Sequence, residues 1–233
     1  MPLSINEHGD RFLPTDGGYG IDVASQRRDQ LDDECLEYVF ARTKAGLETT
    51  AVDLGGGYGA QSMRMAQAGA AVTMIDIADM ATPHFAQAIV EQNIPPQRLS
   101  YLRKDFALLS ENDVPAAFSV LYSQRAIHYV PYRTVQALMR MLFNRMAPGG
   151  RAYISAAGYD TEYGTTHPAR RKPVEERFDH VTPEMRAKHG IERKITIYTM
   201  EDLRVLLRYA GFEDIRIRTS RFGNIKAVAG KRS

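Results

Sequence analysis

The chain has 233 residues, of which 44% are hydrophobic and 25% charged, and Cys35 is its single cysteine. A chain of this length buries enough apolar surface to fold without a disulfide or a metal. One cysteine excludes an intrachain disulfide and the zinc sites built from several cysteines, and we expect no metal site. The sequence has no apolar run of about 18 residues and no basic-then-apolar start typical of a secretory signal. We therefore expect a soluble, cytoplasmic protein.

The formal net charge of +2 conceals an asymmetry between two parts of the chain. Residues 1–169 are net negative and residues 170–233 are net positive. Such an asymmetry can indicate an anionic partner on the basic side. A solvated basic face explains it equally simply.

The predicted elements begin with a loop at residues 9–20, which are rich in Gly, Pro and Asp. Apolar residues at helical spacing then predict a helix from Val23 to Lys44. Strands and helices alternate after it. The predicted strands are 50–54, 71–76, 99–104, 118–123 and 151–156, and the predicted helices are 60–68, 83–92 and 132–146. This alternation predicts an α/β fold with a doubly wound, mostly parallel sheet covered on both faces.

The alternation is interrupted by residues 157–198, where Thr182 and Pro183 are typical of a helix start and Gly190 of its end. We expect this insertion to be a helical lid that binds substrate, with residues 1–46 as an N-terminal lid loop and helix. A helix at 200–209 and strands at 214–219 and 225–229 follow, and the short link between those strands predicts an antiparallel hairpin. We expect residues 1–233 to form a single domain.

The most informative segment is a glycine-rich turn between an apolar strand and a helix, which contains Gly55, Gly57 and Gly59. Glycines at such a turn let the backbone bend sharply and let a ligand approach its N–H groups. The spacing of Gly55, Gly57 and Ala60 also satisfies the dinucleotide fingerprint. The turn alone therefore predicts a nucleotide-like ligand, and it does not distinguish a dinucleotide from a ligand without a pyrophosphate.

Three carboxylates at the ends of successive strands distinguish between these two kinds of ligand. Asp53 lies just before the turn, where it would repel a pyrophosphate and attract a ligand that carries an ammonium group. Asp76, followed by Ile77, ends the second strand, where a carboxylate can accept both ribose hydroxyls. Asp105 and Phe106 end the third strand and could offer an acceptor and a flat contact to an adenine. Each aspartate could also be a simple cap or turn residue.

Taken together, these motifs resemble those of the class I S-adenosylmethionine-dependent methyltransferase family. The first motif is similar to residues 52–59, the second-strand acid to Asp76, the third-strand acid to Asp105, and the Pro-Gly-Gly before strand five to residues 148–150. The resemblance covers roughly residues 47–160 and 199–229. It implies a seven-stranded sheet with a reversed C-terminal strand, and S-adenosylmethionine bound across the strand ends with the substrate on the lid side.

The loop after the fourth strand is where the chemistry is expected, because ligands bind outside the carboxyl ends of parallel strands. Ser123 and Gln124 are candidate cofactor contacts there. His128 is the candidate general base or substrate-orienting residue, with Tyr129 beside it as a second candidate catalytic residue. If the N-terminal segment folds over the site, Tyr19 would contact the methionine end of the cofactor. A buried structural histidine and an unattached N-terminal arm are the simpler interpretations of His128 and Tyr19.

Three hypotheses about function remain open at this stage. The first is a methyltransferase acting on a small, possibly anionic, molecule by in-line displacement. The second is an RNA or tRNA methyltransferase that uses the basic C-terminal part, although acidic residues are interleaved there and no RNA-binding module is visible. The third is a non-catalytic protein that binds S-adenosylmethionine. No membrane partner is expected, and the sequence does not fix the oligomeric state.

Overall fold

The structure, a computed structural model, describes residues 4–5, 11–15, 17–22, 28–78 and 83–232. Its N-terminal strands form a small antiparallel sheet: β1 (Ser4–Ile5), β2 (Arg11–Pro14) and β3 (Ile21–Asp22). The predicted loop at residues 9–20 is therefore wrong in part. Gly17 and Gly18 adopt positive φ angles in the connection between β2 and β3, so the glycines make a turn and leave the flanking residues free to pair.

The main sheet has seven strands: β4 (Thr50–Leu54), β5 (Ala71–Asp76), β6 (Leu99–Arg103), β7 (Phe118–Gln124), β8 (Met146–Ala156), β9 (Glu213–Thr219) and β10 (Ile225–Gly230). Their order is β6-β5-β4-β7-β8-β10-β9. Strands β4 to β8 pair in parallel, whereas β10 is antiparallel to both β8 and β9. This is the methyltransferase-type sheet with a reversed C-terminal strand, as expected.

The described helices are α1 (Gln30–Lys44), α2 (Ala60–Gln67), α3 (Pro83–Glu91), α4 (Tyr132–Arg145), α5 (Glu162–Thr165), α6 (Pro183–His189) and α7 (Met200–Ala210). The predicted start of the first helix at Val23 is wrong, since Arg28 and Asp29 are not helical and residues 23–27 lie outside the described part. The Asp29 carboxylate accepts from the Leu31 N–H at 2.7 Å and the Asp32 carboxylate accepts from the Asp29 N–H at 2.7 Å. This capping box starts α1 at Gln30.

The fifth strand of the main sheet also starts earlier than predicted, at Met146 and not at Arg151. Phe118 of β7 pairs with Met146, and the register then shifts before Val120 pairs with Arg151. Residues 148–150, the Pro-Gly-Gly segment, lie within this irregularity. Proline and glycine are tolerated in a strand where the ladder is already interrupted.

Two apolar layers enclose the sheet, as alternation along the strands requires. Val52 and Leu54 face α4 and α7, whereas Ala51 faces α1 and α2. The insertion has its own apolar cluster, built from Ala157, Val181, Met185, Ile191, Ile195 and Ile197. Its helix α6 begins at the Thr182 cap and ends at Gly190 in the left-handed conformation, as predicted. Within the described part of the chain, none of the helices has both the length and the apolarity that a membrane span requires.

Candidate functional site

A cavity of about 360 Å³ lies at the carboxyl ends of β4, β5 and β7. The glycine-rich turn forms its floor. Gly55 has a φ of 68°, and a Cβ on Gly55 would collide with the Cβ of Ala126. A Cβ on Gly56 would lie 2.5 Å from Cγ of Met74. The turn therefore excludes side chains and leaves its backbone open to a ligand. Gly59 has a φ of 77° and caps α2, beside the cavity and not on its wall.

The side chains predicted to hold an adenosine group share one wall of the cavity. The two Asp76 carboxylate oxygens accept from the Gly57 and Ala78 N–H groups, each at 2.9 Å. These bonds fix the carboxylate at the edge of the turn. Ile77 follows it, 42% exposed, on the same wall.

The third-strand pair combines the two interpretations made from the sequence. The Asp105 carboxylate accepts from the Ala107 N–H at 2.9 Å and so caps the short 3₁₀ helix that follows β6. Asp105 and Phe106 also line the cavity. A capping role therefore holds an acceptor and a flat apolar ring on the cavity wall.

Asp53 is a buried carboxylate under the turn, also on the cavity wall. It accepts from the Ser62 hydroxyl at 2.6 Å. Burial raises the pKa of Asp53 to about 7, an effect that the Ser62 bond opposes and the negative charges of Asp76 and Asp32 reinforce. A cationic ligand in the cavity would favour its ionised form.

The start of α1 extends this acidic side of the cavity. Asp32 is buried, lines the cavity and accepts from the Tyr122 hydroxyl. Gln124, a predicted cofactor contact, also lines the cavity and donates from Nε2 to the Asp29 carboxylate at 2.7 Å. Asp29 in turn pairs with Lys226 of β10 at 2.5 Å. The last strand of the sheet thus anchors the helix that closes one end of the cavity.

Ser123 does not reach the cavity. It is fully buried, and its hydroxyl donates to the Leu54 carbonyl at 2.9 Å, so it ties β7 to the end of β4. Side chains alternate across a strand, which directs Gln124 to the cavity and Ser123 away from it.

His128 is buried and lines the cavity. Its Nδ1 accepts from the Ala157 N–H at 3.3 Å, so the neutral ring carries its proton on Nε2. Burial lowers the pKa of His128 to about 3, and the positive charge of Arg125 adds to this shift. A neutral ring with Nε2 protonated can donate a hydrogen bond but has no lone pair free to act as a base. The role of His128 as a substrate-orienting residue stays a prediction, and a neutral ring in this state is a donor rather than a base.

The Tyr129 side chain binds the N-terminal segment. Its hydroxyl donates to the Tyr19 carbonyl at 2.6 Å, and the two rings meet edge to face with centroids 5.1 Å apart. Burial raises the pKa of the Tyr129 phenol, which keeps it protonated. Both residues line the cavity, and the predicted catalytic role of Tyr129 and cofactor contact of Tyr19 stay predictions. Tyr129 therefore holds the segment that closes the site.

The N-terminal segment and the insertion join to form a roof over the cavity, which we define as residues 17–20 and 189–193. Tyr19 forms a β-bridge with Ile191. Hydrogen bonds run from the Gly20 N–H to the Gly190 carbonyl at 3.0 Å and from the Glu192 N–H to the Gly18 carbonyl at 2.8 Å. Tyr19, Gly20, His189 and Ile191 of this roof line the same cavity as the glycine turn.

Sequence reasoning missed several residues of the cavity wall. They are Tyr58, Gln61 and Arg64 beside the glycine turn, Asp32 on α1, Tyr122 on β7, and Tyr163, His189 and Ile191 in the insertion. Tyr58 lies in the glycine turn, and Gln61 and Arg64 lie on the first two turns of α2, so their closeness to the motif could have indicated them. Those of the insertion carry no local motif. Within the described residues, no group of three or more His, Cys, Asp or Glu side chains could hold a metal ion.

The chain matches one family of known proteins over most of its length. A family model described as a methyltransferase domain matches residues 23–217. No curated protein matches the sequence closely enough to count as a relative.

Solved structures with the same fold include three methyltransferases. Magnesium protoporphyrin IX methyltransferase (ChlM) from Synechocystis PCC 6803 with bound SAM is 18% identical with a TM-score of 0.57, over 88% of this chain and 79% of that one. The 1,6-didemethyltoxoflavin-N1-methyltransferase from Burkholderia thailandensis is 17% identical with a TM-score of 0.55, over 87% and 80%. The S-adenosylmethionine-dependent methyltransferase SibL is 18% identical with a TM-score of 0.55, and the chain spans only 56% of its length. At these identities the likeness shows a shared fold.

Proposed function

The chain belongs to the methyltransferase domain family, and from this premise we propose that it transfers a methyl group from S-adenosylmethionine to a small molecule bound under the roof. The cofactor would lie along the wall formed by Asp76, Ile77, Asp105 and Phe106, which supplies carboxylate acceptors and an apolar surface. Asp53 would face its positively charged methionine end.

The observation that carries the small-molecule assignment is the roof. Residues 17–20 and 189–193 are joined to each other by backbone hydrogen bonds. Tyr19 and Ile191 of the roof line the cavity, together with Tyr163 of α5. Because the same cavity of about 360 Å³ would also hold the cofactor, the space left beside the roof favours a compact acceptor. Two of the structural neighbours carry the names of small molecules, magnesium protoporphyrin IX and didemethyltoxoflavin.

Bound S-adenosylmethionine would supply a methyl group on a sulfonium: a lone pair of the acceptor would form the new bond to the methyl carbon, and sulfur would keep the electron pair of the broken C–S bond. Such a transfer needs alignment and exclusion of water more than acid–base catalysis. His128 would align the acceptor by donating from Nε2. Tyr129 and Tyr19 would keep water out by holding the roof closed.

Two measurements test this function. The first is calorimetric titration of S-adenosylhomocysteine into the wild type and into Asp76→Ala, with Glu201→Ala as the control because Glu201 is 67% exposed on α7. We expect binding that is weakened about tenfold or more in Asp76→Ala and unchanged in the control. Equal affinity in all three proteins would contradict the cofactor site.

The second measurement is a screen of small-molecule acceptors with methyl-labelled S-adenosylmethionine, run beside bulk RNA as acceptor. Label transfer to a small molecule supports the proposed function. Transfer to RNA alone would overturn it in favour of an RNA methyltransferase.

A further inference from the structure

Arg125, the residue that directly follows β7, has an unusual backbone conformation. Its φ is 54°, in the left-handed region that an arginine rarely adopts. The Arg125 N–H donates to the Ser155 carbonyl at 3.0 Å, which holds this conformation. Strained residues of this kind concentrate where a ligand needs a side chain in one direction. Here the side chain lines the cavity.

The guanidinium of Arg125 makes no hydrogen bond or ion pair with any residue in the described part of the chain. Glu162, an acid of the insertion beside the cavity, already pairs with Lys188 at 2.5 Å and with His189 at 3.0 Å. Arg125 is half-buried, so its guanidinium is available to a ligand that carries a negative charge.

The charge of Arg125 acts on the half of the cavity that is lined by His128, Tyr129 and Tyr163. Its positive field contributes to the pKa values of His128, Tyr129 and Tyr163, in each case favouring the form with less positive charge. None of these three side chains offers an anion to it. His128 presents a second donor from Nε2, and the Tyr129 hydroxyl is occupied by the Tyr19 carbonyl. This half of the cavity therefore presents donors, with aromatic rings around them.

We propose that Arg125 binds an oxyanion of the methyl acceptor, a carboxylate or a phosphate, and that the natural substrates are flat molecules that carry such a group. The planar guanidinium can contact two oxygens of either group at once. The tyrosine rings at positions 19, 129 and 163 supply apolar surface for the rest of the molecule. This inference rests on the proposed function, because it names the substrate class of the same site.

Binding of three probes tests the inference without knowledge of the natural acceptor. The probes are benzoate, phenyl phosphate and benzamide, which is the neutral counterpart of benzoate. Each is titrated into the protein with and without saturating S-adenosylhomocysteine, and ligand-observed NMR measures the affinity. We expect benzoate or phenyl phosphate to bind about tenfold or more tightly than benzamide, as a charge-assisted pair provides. The stronger of the two anions identifies the preferred oxyanion.

Three variants assign the preference to Arg125. Arg125→Gln should reduce anion affinity to that of benzamide, and Arg125→Lys should retain part of the preference, since lysine keeps the charge without the planar fork. Arg133→Gln is the matched control, because it removes the same charge from a side chain that is 75% exposed on α4; it should leave the preference unchanged.

Several outcomes would overturn the inference. One is equal binding of benzoate and benzamide by the wild type, and another is a preference that survives in Arg125→Gln. A third is loss of S-adenosylhomocysteine affinity in Arg125→Gln, which would assign Arg125 to the cofactor. Failure of the wild type to bind S-adenosylhomocysteine would instead contradict the proposed function, and the titrations without it would still test the anion site.

Discussion

Burial shifts two ionisable side chains of the cavity toward their neutral forms, and their roles follow from this. The Asp53 carboxyl has a pKa of about 7, and the His128 imidazole has a pKa of about 3. Near neutral pH, the protonated and ionised forms of Asp53 are therefore both populated, whereas His128 remains neutral. The first can respond to a cation, and the second can serve as a fixed donor.

Asp53 predicts a pH dependence of cofactor binding. Below about pH 7 the carboxyl is protonated, so binding of a cationic cofactor must displace that proton, and affinity should rise several-fold from about pH 6 to pH 8. Asp53→Asn should bind more weakly and lose this rise. Calorimetry of S-adenosylmethionine at the two pH values measures it, and the titration of the cofactor itself is common to both proteins. A rise of equal size in the variant would show that another group is responsible.

His128 predicts a loss of turnover without a loss of cofactor affinity. In the proposed function His128 Nε2 donates to the acceptor. Removal of such a donor costs on the order of 10²-fold in kcat, so His128→Ala should show that loss with an acceptor found in the screen. His128→Gln, which keeps an N–H donor, should recover part of it. S-adenosylhomocysteine affinity should stay within about twofold.

The pH profile separates this donor role from a role as base. With a pKa of about 3, His128 does not titrate between about pH 5 and pH 9, so wild type and His128→Gln should have profiles of the same shape. An acid limb present in the wild type and absent from the variant would show that His128 accepts a proton.

At the scale of elements, the site depends on contacts between segments that are distant in sequence. Lys226 of β10 pairs with Asp29 at the start of α1, and Tyr129 after β7 holds Tyr19 of the N-terminal segment. The parallel strands provide the turn and the carboxylates. These two contacts position α1 and the N-terminal segment beside them.

The Lys226–Asp29 pair predicts a stability effect. Lys226 is buried, so Lys226→Met leaves the Asp29 carboxylate without its counter-charge beside Gln124. We expect the free energy of unfolding in urea to fall by about 2 kcal/mol. Arg216→Met is the control, since Arg216 is 68% exposed in its pair with Glu34, and it should cost less than about 1 kcal/mol. Equal losses would show that the buried pair contributes no more to the free energy of unfolding than the exposed pair does.

The Tyr129 hydroxyl predicts the behaviour of the roof. Tyr129→Phe keeps the ring against Tyr19 but removes the donor to its carbonyl, so amide hydrogen exchange at residues 17–20 should become faster and KM for the acceptor should rise. Tyr132→Phe removes a hydroxyl that donates to the Asp202 carbonyl at 3.4 Å, away from the roof, and should change neither. Unchanged exchange in Tyr129→Phe would show that the backbone bonds hold the roof without this anchor.

These contacts also mark how far the sequence predicts the structure. The glycine turn, Asp76 and Asp105 were predictable because a turn and the strand ends beside it have local chemistry. The structure places Gly55, Gly57, Asp76 and Asp105 on the cavity wall. The start of α1 was not, because apolar spacing extends beyond the Asp29 cap. The contact of Tyr19 with Ile191 depends on how two loops meet, which no local pattern encodes.

Across the whole molecule, the positive charge of the C-terminal part is largely used within the fold. Arg177 pairs with Asp202 at 2.5 Å, and Arg186 pairs with Glu192. Arg170 donates to the Gly164 carbonyl at 3.0 Å. Charges used in this way stabilise the insertion and are less available to a phosphate backbone.

Binding to RNA should therefore be weak and only mildly dependent on salt. We expect a Kd above about 10 µM for an unstructured RNA, with less than about a tenfold change between 50 and 200 mM salt, whereas six to ten phosphate contacts would give about 10³ to 10⁵. Filter binding measures both. A steep salt dependence that is reduced by the exposed-site variants Arg171→Gln and Lys172→Gln would favour an RNA substrate.

The position of β10 has a consequence for the order in which the protein assembles. This strand is made last among the seven, yet it lies between β8 and β9. On the ribosome, the parallel strands β4 to β8 can form while β8 still has an open edge, and such an edge is prone to pair with another chain. A nascent chain released before β10 would keep that edge and would lack Lys226 to hold α1. Premature termination near the C-terminus should therefore yield aggregates rather than a weakened enzyme.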